Sequence, residues 1–241
     1  MKIPQLKRKL EVKKYHNFEL KDEFSWIHQK DILSVLKDGS KLNPEVRKYL
    51  EEENTYTKFQ MKDAEEFQKK LFGEIKGRIK LDDESLHFFY NKDGWEYWSK
   101  TTTENNYPIQ LRKKIGDDKI QEYWNGDKEK KKLGTSYFGV GDLAVSHDHF
   151  LLGYSLDLNG SEFYTIYIRR ISDEKIVDEK IENTSGGITF SKDSRFIFYT
   201  LLNKKHQPKK VFRHKIGSSQ KDDELIYEEL DPKFTVGMGG L

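Results

Sequence analysis

Residues 146–155 read SHDHFLLGYS, and residues 191–200 read SKDSRFIFYT. The two stretches are 45 positions apart (191 minus 146), and their register continues without a gap through residues 167–171 and 212–216. Each stretch begins with a Ser-x-Asp turn and continues into an apolar strand that ends in Tyr-Ser or Tyr-Thr. A second strand follows, in which aromatic, basic and apolar residues alternate. The sequence therefore contains a repeated pair of β-strands.

A fainter copy of the repeat lies upstream. Residues 97–99 (YWS) correspond to 153–155 (GYS), and residues 107–112 (YPIQLR) correspond to 164–169 (YTIYIR). An all-strand repeat of about 45 residues has the length of a four-stranded β-propeller blade. A β-sandwich with two similar hairpins is the alternative, but three copies in the same order favour the propeller.

We therefore expect a mainly β chain in two parts. Residues 1–76 form an extended and helical arm, and residues 77–241 form the propeller part. The propeller part has room for three blades and the start of a fourth, with blades at about 77–135, 136–182 and 183–230. Because closed propellers need about four to eight blades, we expect this propeller to be incomplete.

Helical signals are concentrated in the arm. Asn43 and Pro44 are typical of a helix start, since Asn caps free N–H groups and Pro fits the first helical position. The apolar spacing from Ala64 to Ile75 predicts a further helix that ends at Gly77, and residues 32–36 suggest a short one. After Gly77 helical signals nearly vanish.

Composition indicates a soluble, folded protein. Hydrophobic and charged residues each make up 35% of the 241 residues, mean hydropathy is −0.88, and aromatic residues make up 13%. We therefore expect a core built more from Phe, Tyr and Trp than from aliphatic residues. The 43 basic and 41 acidic residues are interleaved, which indicates neither a nucleic-acid nor a membrane partner. The lack of cysteine and of an apolar leader favours the cytoplasm and excludes disulfides.

Several motifs occur in a distinctive order along the chain. In the arm and just after it they are DEFSWI at 22–27, LNPEVRKYLEEEN at 42–54 and FGEIKGRIKLDD at 72–83. In the β part they are GSEFYT at 160–165, NTSGG at 183–187 and FRHKIG at 212–217. In this order the motifs resemble the prolyl oligopeptidase family of serine peptidases, in its oligopeptidase B branch. The resemblance runs from about residue 15 to the last few residues.

The resemblance implies a fold and an activity for the intact protein. Members of the family combine an N-terminal arm, a seven-bladed propeller that restricts entry, and an α/β-hydrolase domain with a Ser-Asp-His triad. The oligopeptidase B branch cleaves short peptides after Arg or Lys. The family places the triad after the propeller, and the sequence contains no Gly-x-Ser-x-Gly nucleophile motif. We therefore expect the α/β-hydrolase domain to be a missing partner, and this chain alone to have no catalytic residues and no peptidase activity.

Few side chains are candidates for a functional site. Glu162 is our candidate substrate-gating residue, because a carboxylate facing the central channel would attract a cationic peptide; a surface glutamate is the simpler interpretation. His147 and His149 could bind a metal, but an exposed turn is the better interpretation, and we expect no metal or cofactor. The lysine-rich residues 128–132 contain no stacking aromatics, so we interpret them as a solvated loop and not a nucleic-acid site.

Three hypotheses for function remain open. In the first, the chain is the N-terminal gating fragment of a serine oligopeptidase, including the arm and about half of a propeller. In the second, it is a stand-alone β-repeat module that binds peptides or proteins. In the third, it pairs with a separately encoded second half. Retention of the arm favours the first, because an independent propeller has little use for it.

Overall fold

The computed structural model describes residues 1–90, 94–178 and 180–239. The chain divides into two compact units, residues 1–80 and residues 81–241. The last helix of the first unit ends at Lys76, so the division falls four residues beyond it. Among the described residues, no helix combines the length and apolar character needed to cross a membrane.

The first unit contains a β-hairpin and three α-helices. The hairpin pairs β1 (Glu11–Tyr15) with β2 (Phe18–Asp22), and His16 in its turn has a φ of 55°. The helices are α1 (Ile32–Lys37), α2 (Pro44–Gln60) and α3 (Glu65–Lys76). The three helices confirm the helical prediction for the arm, whereas the hairpin was not predicted.

The start of α2 shows why the helix begins where it does. The side-chain Oδ1 of Asn43 accepts hydrogen bonds from the backbone N–H groups of Glu45 (2.8 Å) and Val46 (3.4 Å). Pro44 follows at the first helical position, where its missing N–H needs no partner. The sequence signal for this helix start is therefore confirmed.

Within its described residues, the second unit contains three antiparallel groups of strands, which we call the first, second and third blades. The first contains β3 (Asp83–Glu84) and β4 (Phe88–Tyr90), which both pair with β5 (Trp95–Thr101), and then β6 (Ile109–Lys114) and β7 (Gln121–Asn125). The second contains β8 (Gly139–Val145), β9 (Leu151–Asp157), β10 (Tyr164–Arg170) and β11 (Ile181–Thr184). The third contains β12 (Thr189–Phe190), β13 (Phe196–Leu202), β14 (Pro208–Lys215) and β15 (Glu224–Glu228).

The blades follow the predicted repeat. The first of the two clear copies forms the paired strands β9 and β10, and the second forms β13 and β14. The fainter upstream copy forms the paired strands β5 and β6. A single backbone pairing, Thr184 with Leu201, joins the second and third blades into one sheet. Because each group is a meander of sequential strands, the structure agrees with propeller blades and not with a sandwich.

A fourth helix, α4 (Gly126–Leu133), follows the first blade. The side chain of Asn125 accepts from the backbone N–H of Lys128 (3.2 Å), and Gly134 ends the helix in a left-handed conformation with a φ of 65°. The prediction of a loop at residues 128–132 was therefore wrong. A short helix with caps at both ends forms there because the caps satisfy the free backbone groups.

Residues 229–239 form no strand and contact the first residues of β14. The Nζ of Lys209 donates hydrogen bonds to the carbonyls of Asp231 (2.5 Å) and Phe234, and the N–H of Val236 donates to the carbonyl of Pro208 (3.0 Å). The start of a fourth blade at this place is not seen within the described residues and stays a prediction.

Two buried clusters hold the blades together. The cluster between the first and second blades includes Trp124, Phe138 and Tyr154, as predicted for an aromatic-rich core. The cluster between the second and third blades is mainly aliphatic, and its fully buried members include Ile166, Ile168, Ile181 and Ile197. The expectation of an aromatic core is therefore wrong for this half, where isoleucine side chains fill the space between the two blades.

Candidate functional site

The repeated Ser-x-Asp turn has the same hydrogen bonds in two blades. In the second blade the Oγ of Ser146 donates to Asp148 Oδ1 (2.5 Å) and accepts from the N–H of Leu151 (2.9 Å). In the third blade the Oγ of Ser191 donates to Asp193 Oδ1 (2.6 Å) and accepts from the N–H of Phe196 (3.0 Å). The motif therefore fixes the connection between β8 and β9 in the second blade and between β12 and β13 in the third.

His147 and His149 lie in this turn but have different environments. His147 is exposed, whereas His149 is 6% exposed and has a φ of 64°. The Nδ1 of His149 lies 2.8 Å from the hydroxyl of Tyr97, and its ring stacks against Trp95 at 5.6 Å between centroids. The prediction that both histidines are exposed was therefore wrong for His149, which packs between the first and second blades. Among the described residues, no group of three His, Asp or Glu side chains could hold a metal ion.

A groove of about 350 Å³ opens beside this turn, and we call it the inter-blade groove. It lies between β5 of the first blade and β8 of the second. Its aromatic side chains are on the first blade, its aliphatic ones are on the second, and serine, glutamine and histidine supply its polar groups. The lining residues are Ser85, Phe88, Tyr97, Trp98, Ser99, Gln110, Tyr123, Leu143, Val145, Ser146, His147 and His149.

The basic residue of the repeat is buried in the first two blades. Arg112 is 5% exposed, and its Nη1 donates to the carbonyl of His149 (2.6 Å) in the second blade. Arg169 is 2% exposed, and its Nη1 donates to Glu129 Oε1 (2.5 Å) in α4. These arginines therefore connect the second blade to the first blade and to the helix that follows it.

In the third blade the same position is His214, which lies between two aspartates. Its Nε2 is 2.8 Å from Asp178 Oδ2, and its Nδ1 is 2.6 Å from Asp223 Oδ1, with all three side chains 98–100% buried. Burial lowers the pKa of His214, but hydrogen bonds to Asp178 and Asp223 outweigh it and raise the pKa above its ordinary value of 6.5. A carboxylate at each ring nitrogen favours the doubly protonated imidazolium. Since Asp178 lies in the β10–β11 connection, the cluster links the second and third blades.

The lysine-rich stretch is partly structural. Lys131 and Lys132 are exposed on α4, as expected for a solvated segment. Glu129, among the lysines, is 8% exposed because it pairs with Arg169. The helix therefore packs with Glu129 toward the blades.

Glu162 lies in the turn between β9 and β10. Its N–H donates to Asp157 Oδ2 (2.7 Å), its φ is 58°, and its side chain is exposed. Asp157 is 2% exposed and also accepts from the N–H groups of Asn159 (3.1 Å) and Gly160 (3.0 Å). Burial raises the pKa of Tyr164, and the carboxylates of Asp157 and Glu162 contribute further. The turn therefore holds an acidic group at the surface; its place beside a substrate channel stays a prediction.

The order and geometry of these blades match a known family. Residues 4–239 of the chain match the family described as prolyl oligopeptidase, N-terminal beta-propeller domain. The chain therefore belongs to this family of serine-peptidase propellers. The resemblance seen in the sequence is confirmed.

Relatives and solved structures agree with this assignment. Dipeptidyl aminopeptidase BI of Pseudoxanthomonas mexicana is 32% identical over 95% of this chain, and Protease 2 of Moraxella lacunata is 27% identical over 98%. Oligopeptidase B from Leishmania major has the same fold, with a TM-score of 0.83, 23% identity and 97% of this chain covered. The chain covers 32% and 33% of the two relatives and 34% of that structure, so it spans about a third of their length.

Proposed function

We propose that this chain is the non-catalytic N-terminal part of a serine oligopeptidase and helps to restrict which peptides reach the catalytic domain. The observation that carries the proposal is the run of three blades, which matches the family's N-terminal propeller over residues 4–239. The match to about a third of each relative supports a role as one part of a larger enzyme. An α/β-hydrolase domain is then its partner.

We further propose that the intact enzyme hydrolyses short peptides after Arg or Lys. Two solved structures with this fold, from Leishmania major and Trypanosoma brucei, are oligopeptidase B, the second with covalently bound antipain. Glu162 is exposed in a fixed turn, and an exposed carboxylate raises the local concentration of cationic peptides. We also propose a cytoplasmic location, which the absence of cysteine supports.

The test expresses the complete reading frame that encodes this chain and compares its activity with that of residues 1–241. The substrates are three fluorogenic dipeptides, with the sequences Arg-Arg, Ala-Ala and Glu-Glu. We expect the complete product to hydrolyse the Arg-Arg substrate, and residues 1–241 to hydrolyse none of them. If no product of the gene hydrolyses any peptide, the proposal fails, and a stand-alone interaction module replaces it.

A pair of matched variants tests the role of Glu162 in the complete product. We expect Glu162→Gln to raise KM for the Arg-Arg substrate by roughly threefold with little change in kcat, because it removes long-range attraction only. Asp118→Asn is the control, since Asp118 is an exposed carboxylate in the connection between β6 and β7. Equal KM changes in the two variants would contradict a special role for Glu162.

A further inference from the structure

The segment that follows α3 carries a basic residue at every second position. It reads KGRIKLD over residues 76–82, with Lys76, Arg78 and Lys80 as the basic positions. The first compact unit ends at Lys80, and the second begins at Leu81. We propose that this segment, which we call the connecting segment, is a site of limited proteolysis for peptidases that cleave after Lys or Arg. The proposal goes beyond the proposed function, because it treats the chain as a substrate and not as part of an enzyme.

The backbone of the connecting segment is held at its two ends. The last turn of α3 closes with a hydrogen bond from the N–H of Ile79 to the carbonyl of Lys76 (3.1 Å). The chain is next held at Asp82, whose Oδ1 accepts from the N–H of Thr103 (2.8 Å). Residues 80–82, all within the described part of the chain, form neither a helix nor a strand. Opening this stretch therefore breaks no ladder of backbone hydrogen bonds and costs little free energy.

The basic side chains of the connecting segment are exposed. All residues from 65 to 80 are exposed, and Ile79, between Arg78 and Lys80, is 58% exposed. A peptidase of trypsin specificity holds a basic side chain in a pocket with an acidic group, so that side chain has to project from the substrate. The exposure of Arg78 and Lys80 meets this requirement.

Two other exposed basic sites lie in hydrogen-bonded structure. Lys131 and Lys132 are exposed on α4, and both ends of that helix are capped. Arg195 is exposed in the Ser-x-Asp turn of the third blade, where its N–H (3.2 Å) and its Nε (2.7 Å) donate to Asp193. Cleavage at these places requires a helix to unwind or a turn to open, and cleavage in the connecting segment requires neither.

A single cleavage after Lys80 divides the chain at the boundary of its two units. Water adds across the Lys80–Leu81 peptide bond and leaves a carboxylate on Lys80 and an ammonium group on Leu81. The cut breaks no helix or strand, since α3 ends at Lys76 and β3 begins at Asp83. The chain has no cysteine, so no disulfide can keep the two products joined. Proteolysis at this place is therefore an irreversible switch that removes the covalent link from the first unit to the blades.

Limited digestion of residues 1–241 with trypsin tests the proposal, and intact-mass spectrometry identifies the products. We count a cleavage as internal when it lies between residues 10 and 229. We expect the first internal cleavage after Lys80 or Arg78, which leaves a large fragment of residues 81–241 or 79–241. Loss of short terminal pieces, for example after Lys2 or Lys233, has a distinct mass. A first internal cleavage at any other position would overturn the proposal.

Matched variants show whether the two basic residues direct the cleavage. The double variant Arg78→Gln with Lys80→Gln should slow tryptic cleavage of the connecting segment by at least about tenfold, because trypsin discriminates strongly against an uncharged residue at this position. The control is Lys131→Gln with Lys132→Gln, which removes two exposed charges from α4 and should leave the rate unchanged. An unchanged rate in the first double variant, or an equal loss of rate in the control, would contradict the proposal.

A second peptidase tests the access to the segment separately from its charge. Thermolysin, which cleaves before large apolar residues, should cut both the unmodified chain and the Arg78→Gln, Lys80→Gln variant before Ile79 or Leu81. Resistance of these two bonds in the unmodified chain would show that the segment is closed to peptidases and would overturn the proposal. Every readout is the mass of a fragment, and none depends on peptide hydrolysis by this chain. The proposal can therefore fail independently of the proposed function.

Discussion

At the scale of single residues, the basic position of the repeat has a structural role that its sequence pattern did not reveal. The alternation of aromatic, basic and apolar residues predicted a strand with one buried face. A basic residue in such a strand would be expected on the solvent side. Arg112, Arg169 and His214 are instead buried, because each finds hydrogen-bond acceptors outside its own strand. Only the arrangement of the blades supplies these acceptors.

Removing Arg169 should therefore destabilise the chain strongly. Its partner Glu129 is 8% exposed, so Arg169→Met leaves a buried carboxylate without its cation. We expect the free energy of unfolding to fall by about 3–5 kcal/mol in urea titrations. Arg170→Met is the control, because Arg170 pairs with Asp173 at the surface and its loss should cost less than about 1 kcal/mol. Similar losses of unfolding free energy in the two variants would show that burial of the Arg169–Glu129 pair does not determine its contribution to stability.

His214 should make stability depend on pH. Its pKa is raised in the folded chain, so the stability that its proton contributes is complete below the ordinary value of 6.5 and is lost as the pH rises through the folded-state pKa. Asp178, Asp223 and Tyr199, which hydrogen-bonds Asp223, are the titratable groups around it. We expect the difference in unfolding free energy between wild type and His214→Gln to be largest near pH 6 and to shrink above it. His147→Gln, which removes an exposed imidazole outside the cluster, is the control for the substitution itself. A constant difference for His214→Gln would contradict the mechanism.

At the scale of secondary-structure elements, long periodic segments were predictable and short ones were not. Helices α2 and α3 have clear caps and apolar spacing, and β9 and β13 are repeated apolar runs. The hairpin β1–β2 has every residue but one exposed, so burial gives it no alternating pattern. Helix α4 has eight residues, and its only large apolar residue, Leu133, is exposed. In the sequence, only its two capping residues, Asn125 and Gly134, indicate this helix.

Removing the cap of α4 should therefore weaken this part of the structure. In Asn125→Ala the backbone N–H of Lys128 loses its side-chain acceptor. We expect the free energy of unfolding to fall by about 1 kcal/mol, measured by urea denaturation. Asn125→Asp keeps an acceptor at the same position and should retain most of the stability. If the Ala and Asp variants are equally destabilised, capping is not the reason that Asn occupies this site.

At the scale of the whole molecule, the third blade presents an unpaired strand edge within the described residues. All five residues of β15 are exposed, and Leu225, Ile226 and Tyr227 are 44%, 46% and 50% exposed. β15 pairs with β14 on one side. An exposed apolar edge of this kind is prone to pair with other chains.

Residues 1–241 should therefore self-associate in solution. We expect sedimentation velocity to show a mass that grows with protein concentration. Ile226→Lys should reduce this association, because a charge on an edge strand opposes pairing. Phe150→Lys is the control, since Phe150 is 67% exposed but lies in a turn of the second blade. A monodisperse monomer of the unmodified chain with a single cooperative melt would contradict the prediction.

The sequence by itself determined the mainly β class, the blade repeat and the family, because these depend on periodic patterns and turn residues that lie close together along the chain. It did not determine that His149 is buried, that Glu129 pairs with Arg169 or that His214 lies between two aspartates. These contacts join residues 36 to 52 positions apart. The inter-blade groove is likewise a product of tertiary structure, because it exists only where Leu143 and Val145 face aromatic residues of another blade. Local patterns fix the strands, but the packing of one blade on the next decides which polar groups are buried and where space remains.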